Sequence, residues 1–275
     1  MHRIDAHCHF WQMSRGDYGW LDAATGRVAA LRRDFMPAGY PGDGRMIVVQ
    51  AAPTLAETDF LLDLAAKDAR IAGVVGWVDL ADPDAPRAIA GRAQNPLLRG
   101  VRPMLQDIQA TDWLLTGPRP DALKALGEHG LCFEALVTTR HLPVLARFAA
   151  GNADLPIIID HAAKPQPGDR AEWTAGMQAL ASGPRIYCKL SGLFTELSPE
   201  ELADPARALQ PVVARLLEWF GPKRLVWGSD WPVVTVAATF DEWLSLTDAL
   251  LGGLSAADRA AVMGGNAARF YGVAP

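Results

Sequence analysis

Cysteine is scarce in this 275-residue chain: Cys8, Cys132 and Cys188 stand far apart, each inside an apolar stretch. An odd count without paired spacing excludes a disulfide framework and a zinc clasp, and fits a reducing compartment. Excess positive charge is also missing. With 26 Lys and Arg against 31 Asp and Glu, the net charge is −5, which offers no basic field for a phosphate backbone and excludes nucleic acid as the expected partner. No 18 consecutive apolar residues occur, so no membrane span is expected. Met1 runs directly into the Ile4 strand without a basic-then-apolar leader, and the expected location is the cytoplasm. There is no Gly-x-Ser-x-Gly elbow and no Walker loop. Gly91, Gly100 and Gly252-Gly253 lack the dinucleotide context, so covalent serine catalysis and nucleotide chemistry are both disfavoured. Nothing fixes an oligomeric state.

What is present is a large apolar supply, 50% of residues, enough for one sizeable core. It is arranged as about eight short runs: Ile4–Phe10, Arg45–Ala52, Ile71–Leu80, Leu97–Leu105, Leu131–Val137, Pro156–Ala163, Arg185–Gly192 and Arg224–Pro232. Little polar alternation interrupts them, which predicts strands buried on both faces, as in parallel sheets. Helical signals fill the intervals. Thr54 to Glu57 and Ser198 to Glu201 have capping-box spacing, and Leu61, Leu62, Leu64 and Ala65, then Leu209, Val212, Val213, Leu216 and Leu217, recur at helical period. Phe240–Leu251 and Ser255–Met263 read as helices, and Asn266 as the cap of a last short one. Strand-then-helix units leave an open doubly wound sheet or a closed (β/α)8 barrel. The count near eight and a length close to about 250 residues favour the barrel, an α/β fold in one domain over 1–275. The loop from Trp11 to about Tyr40 is long enough to predict a lid or pocket wall.

Side chains alternate along a strand, so His7 and His9 in IDAHCHFW share one face and converge on one volume. In a barrel, functional groups project from the C-terminal strand ends. Those ends carry His7 and His9, Arg102, Glu134, His161, Lys189 with Ser191, and Asp230. Packing explains poorly a carboxylate at the end of Leu225-Val226-Trp227, whereas Arg102 has structural ion-pair candidates in Glu134 or Asp79 and Lys189 can snorkel to solvent. His2, His129 and His141 read as surface residues. By residue type, Asp230 suits a general base toward water, and His161, or a divalent ion on His7, His9 and an oxygen ligand, suits polarisation of the attacked carbonyl. The chemistry suggested is hydrolysis. Trp11, Trp20, Trp77 and Trp231 are candidate apolar walls, and Arg102, Lys164 and Lys189 candidate contacts for an anionic or polyhydroxylated ligand.

The ordered segments IDAHCHFW, GVVGWVDL, LRGVRP, DHAAKP, YCKLSGL, LVWGSDWP and NAARFYG, spanning Ile4 to Gly272, together resemble the amidohydrolase superfamily in its lactonase-rich branch of metal-dependent TIM-barrel hydrolases. That branch includes sugar-acid (fuconolactone, rhamnonolactone) lactonases, pyrone-dicarboxylate lactonase, sulfomuconolactone hydrolase and a lactone isomerase. The resemblance implies that His7 and His9 are the strand 1 pair, His161 the strand 6 histidine and Asp230 the water-activating aspartate. Arg102 would meet a substrate carboxylate or lactone oxygen, with Glu134, Lys189, Trp11 and Trp231 as further substrate contacts. Binuclear relatives place a bridging Lys or Glu on strand 4 and a histidine on strand 5. Here Gly100-Val101-Arg102 and Phe133-Glu134 stand in those places, so the two-metal cage is missing. Two versions remain: one divalent ion, zinc or manganese, on His7, His9 and Asp230, or metal-independent hydrolysis with the histidines bonded to the carbonyl. The expected substrate is a sugar-acid or dicarboxylate lactone. A zinc-dependent decarboxylase, a lactone isomerase and a non-catalytic ligand-binding barrel are the alternatives.

Overall fold

The computed structural model describes residues 3–168 and 170–274, so His2 lies outside the described residues. Each apolar run supplies one strand: β1 (Ile4–Cys8), β2 (Arg45–Val49), β3 (Ile71–Gly76), β4 (Leu98–Val101), β5 (Cys132–Ala135), β6 (Ile157–Ile159), β7 (Ile186–Leu190) and β8 (Leu225–Trp227). Neighbours pair in parallel and in chain order, with helices in the intervals covering the outer face. The seam between β8 and β1 is drawn together by backbone: Asp230 N–H donates to the His7 carbonyl and His9 N–H to the Trp231 carbonyl, each at 2.7 Å. The result is the expected α/β barrel, all of its strands buried.

The strands are shorter than their apolar runs, and the shortfall falls mostly at the C-terminal ends. After Ile159 the backbone turns left-handed through His161, Ala162, Ala163 and Lys164, with φ of 51°, 48°, 57° and 53°, and Asp230 after β8 has φ 57°. Hydrophobicity continues there because the loops are buried, but the ladder has ended. Left-handed non-glycine residues are costly, and their clustering at one barrel mouth marks where conformation serves something other than folding.

Helix signals hold with adjustments. Thr54 Oγ1 accepts from Glu57 N–H at 3.0 Å and opens helix Leu55–Ala65. The Glu57 carboxylate does not reach back to Thr54. Ser198 and Glu201 do form a reciprocal box, but it opens only a 3-10 turn, Glu201–Ala203. The long helix, Pro205–Phe220, starts one residue later on an Asp204 cap and buries Leu209, Val212, Val213, Leu216 and Phe220 along one stripe. Asn266 is no cap: it is the first residue of helix Asn266–Tyr271, and its Nδ2 ties the Pro222 and Leu225 carbonyls at 2.7 Å each. The last helix is thus bound to the start of β8.

The Trp11–Tyr40 loop is a folded plug. Trp11 and Phe35 pair their backbones at 2.9 Å in both directions, and Trp11, fully buried, gives its Nε1–H to the Arg33 carbonyl. Tyr18 Oη donates to Glu57 Oε2 at 2.7 Å, while Glu57 Oε1 accepts from Ala51 N–H at 3.1 Å. Burial pushes the Glu57 carboxyl up to about 7 from an ordinary 4.5, hydrogen bonds from Tyr18 and Ala51 opposing. The folded chain therefore holds this proton more tightly than the unfolded one. Its contribution to folding is complete below about pH 4.5 and is lost as pH rises through about 7. Urea unfolding of wild type and Glu57→Gln at pH 5 and pH 8 isolates it: the wild type should lose up to about 3 kcal/mol more than the variant over that interval. Parallel losses in the two proteins would contradict the assignment.

Candidate active site

The C-terminal ends of the strands place eight ionisable side chains in one buried cluster. His7 and His9 share a face of β1 and its extension, their ring centroids 4.9 Å apart, and the His161 ring lies 4.5 Å from that of His7. Asp230 reaches across the seam, its Oδ1 at 3.3 Å from His9 Nε2 and 3.7 Å from His7 Nε2. His9 Nδ1 lies 2.8 Å from the Val49 carbonyl, which can only accept, so Nδ1 carries a proton. In the neutral ring Nε2 is then a lone pair facing the Asp230 carboxylate. A proton on Nε2 makes this contact a hydrogen bond to the carboxylate; without it the two acceptors suit a cation.

His161 is oriented by Ser191, whose Oγ lies 2.9 Å from Nδ1. Its left-handed backbone swings the ring into the mouth, and burial keeps it neutral down to about 4 despite the pull of Asp230. Burial also acts against the Asp230 anion, yet His161, His9 and His7 outweigh it and hold the carboxyl well below the usual carboxylate range. Asp230 is therefore an ionised carboxylate with imidazoles on its open side.

Behind His7 lies a second set of charges. Lys189, with no exposed surface, places Nζ 2.6 Å from Glu134 Oε2, 3.0 Å from His7 Nδ1 and 3.1 Å from Asp160 Oδ1. Tyr271 Oη donates to Glu134 Oε1. Arg102 directs Nη1 to Asp160 Oδ2 at 3.4 Å and to within 3.4 Å of His7 Nε2, and Nη2 to the Gln50 carbonyl. Burial pulls Asp160 upward, but Lys189, His7 and Arg102 together carry it well below its ordinary value. These pairs neutralise one another inside the cluster.

His7, His9, His161 and Asp230 are thus brought together. Arg102 joins them, paired with Asp160 rather than with Glu134 or the exposed Asp79. Glu134 and Lys189 sit behind His7 instead of lining the open mouth, and Lys189 does not snorkel to solvent. Trp231 packs edge-on to Phe10, Phe35 and Tyr40 beside the seam, and Trp11 lies in the core of the plug. His129 is exposed as expected, but His141 is buried, its Nδ1 accepting from Thr138 N–H at 3.2 Å. Sequence reasoning missed Asp160, Asp5, Gln50, Ser229 and Tyr271. Asp160, a carboxylate directly after Ile157-Ile158-Ile159, carried the same signal that singled out Asp230. Asp5 pins the seam by accepting from His7 N–H at 3.1 Å, Ser229 N–H at 2.8 Å and Tyr40 Oη at 2.7 Å.

A family model described as amidohydrolase matches residues 4–273. The chain is 44% identical over 281 residues to an L-fucono-1,5-lactonase of Burkholderia ambifaria, covering 98% of this chain and 95% of the relative. It is 38% identical to an L-fucono-1,5-lactonase of Burkholderia multivorans at the same coverage. Among solved structures, an amidohydrolase from Burkholderia multivorans with bound zinc superposes with a TM-score of 0.88 at 36% identity over the whole of both chains.

Gly192 tests how tightly the mouth is built. At its φ of +60°, an added Cβ would lie 2.5 Å from His161 Nδ1 and 3.1 Å from Asp230 Oδ2. Gly192→Ala should therefore displace the His161 ring from Ser191 and lower unfolding free energy by about 1–3 kcal/mol. A crystal structure of the variant with the ring in place, together with unchanged urea stability, would contradict this packing.

Proposed function

The chain belongs to the amidohydrolase family, and from that premise we propose that it hydrolyses a sugar-acid lactone of the L-fucono-1,5-lactone class. The observation that carries the reading is the Asp230 carboxylate, ionised and buried against three imidazoles at the barrel mouth. The 44% identity to an L-fucono-1,5-lactonase supplies the substrate class. The state of Arg102 favours a neutral polyhydroxylated ring over a dicarboxylate. Its charge is already balanced by Asp160 and its Nη2 is given to the Gln50 carbonyl, leaving only the buried Nε unpartnered and no uncompensated charge for a second carboxylate.

The chemistry follows from the donor set. Asp230 takes a proton from water as the water oxygen bonds to the lactone carbonyl carbon. The oxygen that gains negative charge lies against imidazole N–H groups of His7 and His161. When the tetrahedral centre collapses, the ring C–O bond breaks and Asp230 returns its proton to the departing ring oxygen. The product is an open-chain hydroxy acid, which releases one proton to solvent at neutral pH. His161 suits its part because it is held neutral, with its orientation fixed by Ser191.

The His9 Nε2 and Asp230 Oδ1 lone pairs, with His7 as third member, fit one divalent ion. Zinc or manganese held there would polarise the carbonyl and lower the pKa of a bound water. Decarboxylation is less well supported, since Glu134 occupies the strand 5 position where that chemistry looks for a histidine. The expected setting is that of a small-molecule enzyme; among the described residues no helix is long and apolar enough to cross a membrane.

Asp230→Asn removes the base while preserving shape, and should reduce ring opening of L-fucono-1,5-lactone by about 10²–10⁴-fold with little change in thermal stability. Wild-type turnover in that variant would refute the assigned base. Reaction in 18O-water should place one solvent oxygen in the product; no incorporation would point to isomerisation instead. Full turnover after exhaustive chelation would dispose of an obligatory ion, and total loss restored by zinc or manganese would establish one.

A further inference from the structure

We propose that Lys189 is a positioning residue that keeps the His7 ring proton on Nε2, making His7 a hydrogen-bond donor toward the lactone carbonyl and a poor metal ligand. The donor role rests on the lactonase reading above; the tautomer does not. A lysine ammonium has three N–H donors and no lone pair, and Lys189 hydrogen-bonds Glu134 Oε2 and His7 Nδ1 while forming an ion pair with Asp160 Oδ1 at 3.1 Å. No surface is exposed to water, so His7 Nδ1 has to accept. The proton of the neutral ring then lies on Nε2, on the side of Asp230.

The opposite tautomer is geometrically worse. It would point Nδ1–H at Asp160 Oδ1 over 3.4 Å and leave Nε2 accepting from Arg102 Nη1 over 3.4 Å. Meanwhile the shorter 3.0 Å contact with Lys189 would become donor against donor. The Nε2–H tautomer sets the longer 3.4 Å contact with Arg102 Nη1 donor against donor instead, but Nη1 keeps Asp160 Oδ2 as a partner, whereas the Lys189 N–H that points at His7 over 3.0 Å has no other. A buried unpaired donor is costly, so the lysine sets the ring.

The lysine is itself held from behind. Glu134 on β5 receives Lys189 on one oxygen and Tyr271 Oη on the other, and the Lys189 ammonium lies 5.8 Å from the centre of the Tyr271 ring. A chain of contacts therefore runs from the last helix through Glu134 and Lys189 to His7. It also bears on metal binding. An ion on His7 Nε2 must displace the proton that Lys189 keeps there, so His9 and Asp230 are the stronger members of the candidate ion site and His7 the weak one.

The test begins on the unaltered protein. In 15N-resolved imidazole NMR, with His7 assigned against a His7→Gln sample, the His7 Nδ1 should show the shift of an unprotonated acceptor and Nε2 that of a protonated nitrogen. A proton on Nδ1 would overturn the proposal. Lys189→Met, made with Glu134→Gln so that the Glu134 carboxylate is not stranded, should move the proton to Nδ1, where it faces Asp160 Oδ1. It should also lower kcat on L-fucono-1,5-lactone about 10²–10³-fold with KM little changed, and tighten zinc binding by calorimetry about tenfold or more. Unchanged kcat, or weaker zinc binding in a folded variant, would count against the role. The expected tautomer in a protein inactive on lactones would instead defeat the lactonase reading and leave the Lys189 assignment standing.

Discussion

The closure of the barrel between β8 and β1 is the constraint on which everything else depends. Two backbone hydrogen bonds, from Asp230 to the His7 carbonyl and from His9 to the Trp231 carbonyl, lock the two ends of the chain in register. Beneath them Asp5 gathers His7 N–H, the Ser229 amide and hydroxyl, and Tyr40. Because strand side chains alternate, this register puts His7 and His9 on the inner face opposite Asp230. A shift of one residue at the seam would turn the pair outward and separate acid from imidazole. The left-handed φ of Asp230 is part of the same constraint, aiming the carboxylate into the mouth.

Within that frame the cluster separates into a front and a back. At the back, Lys189 and Arg102 are balanced by Glu134 and Asp160, each ion having hydrogen-bonding partners inside the protein. Such buried pairs are weak evidence for stability, since desolvation offsets much of the attraction. Their geometry fixes the ring they surround. At the front the Asp230 carboxylate has only imidazoles for company, leaving one uncompensated negative charge where water, a polarised carbonyl or a divalent ion would lie. The division explains how so many charged residues converge on one mouth while balancing one another.

Much of this was legible in the sequence. Strand-type runs buried on both faces, helical periods between them and a count near eight specify a barrel, because the patterns of Ile47-Val48-Val49 or Ile157-Ile158-Ile159 have few other uses. His7, His9, His161 and Asp230 stood out as polar residues at the ends of apolar runs. The strand ends were not legible: hydrophobicity reports burial, and the loops carrying His161 and Asp230 are as buried as the strands before them. Nor were the partners. Arg102 had acidic candidates in Glu134 and Asp79, and only the fold selects Asp160. Tyr271 offered no local signal of its bond to a glutamate 137 residues earlier. The Ser198–Glu201 box formed as its spacing suggests but opened the wrong helix, since Pro205 behind Asp204 offered a better start.

The most direct measurement is a crystal structure of the Asp230→Asn protein soaked with L-fucono-1,5-lactone. The account predicts an intact lactone in the barrel mouth. Its carbonyl oxygen should lie within hydrogen-bond distance of His7 Nε2 or His161, and its carbonyl carbon should face a water or open position beside residue 230. A lactone bound elsewhere, or one whose carbonyl points away from both histidines, would contradict it.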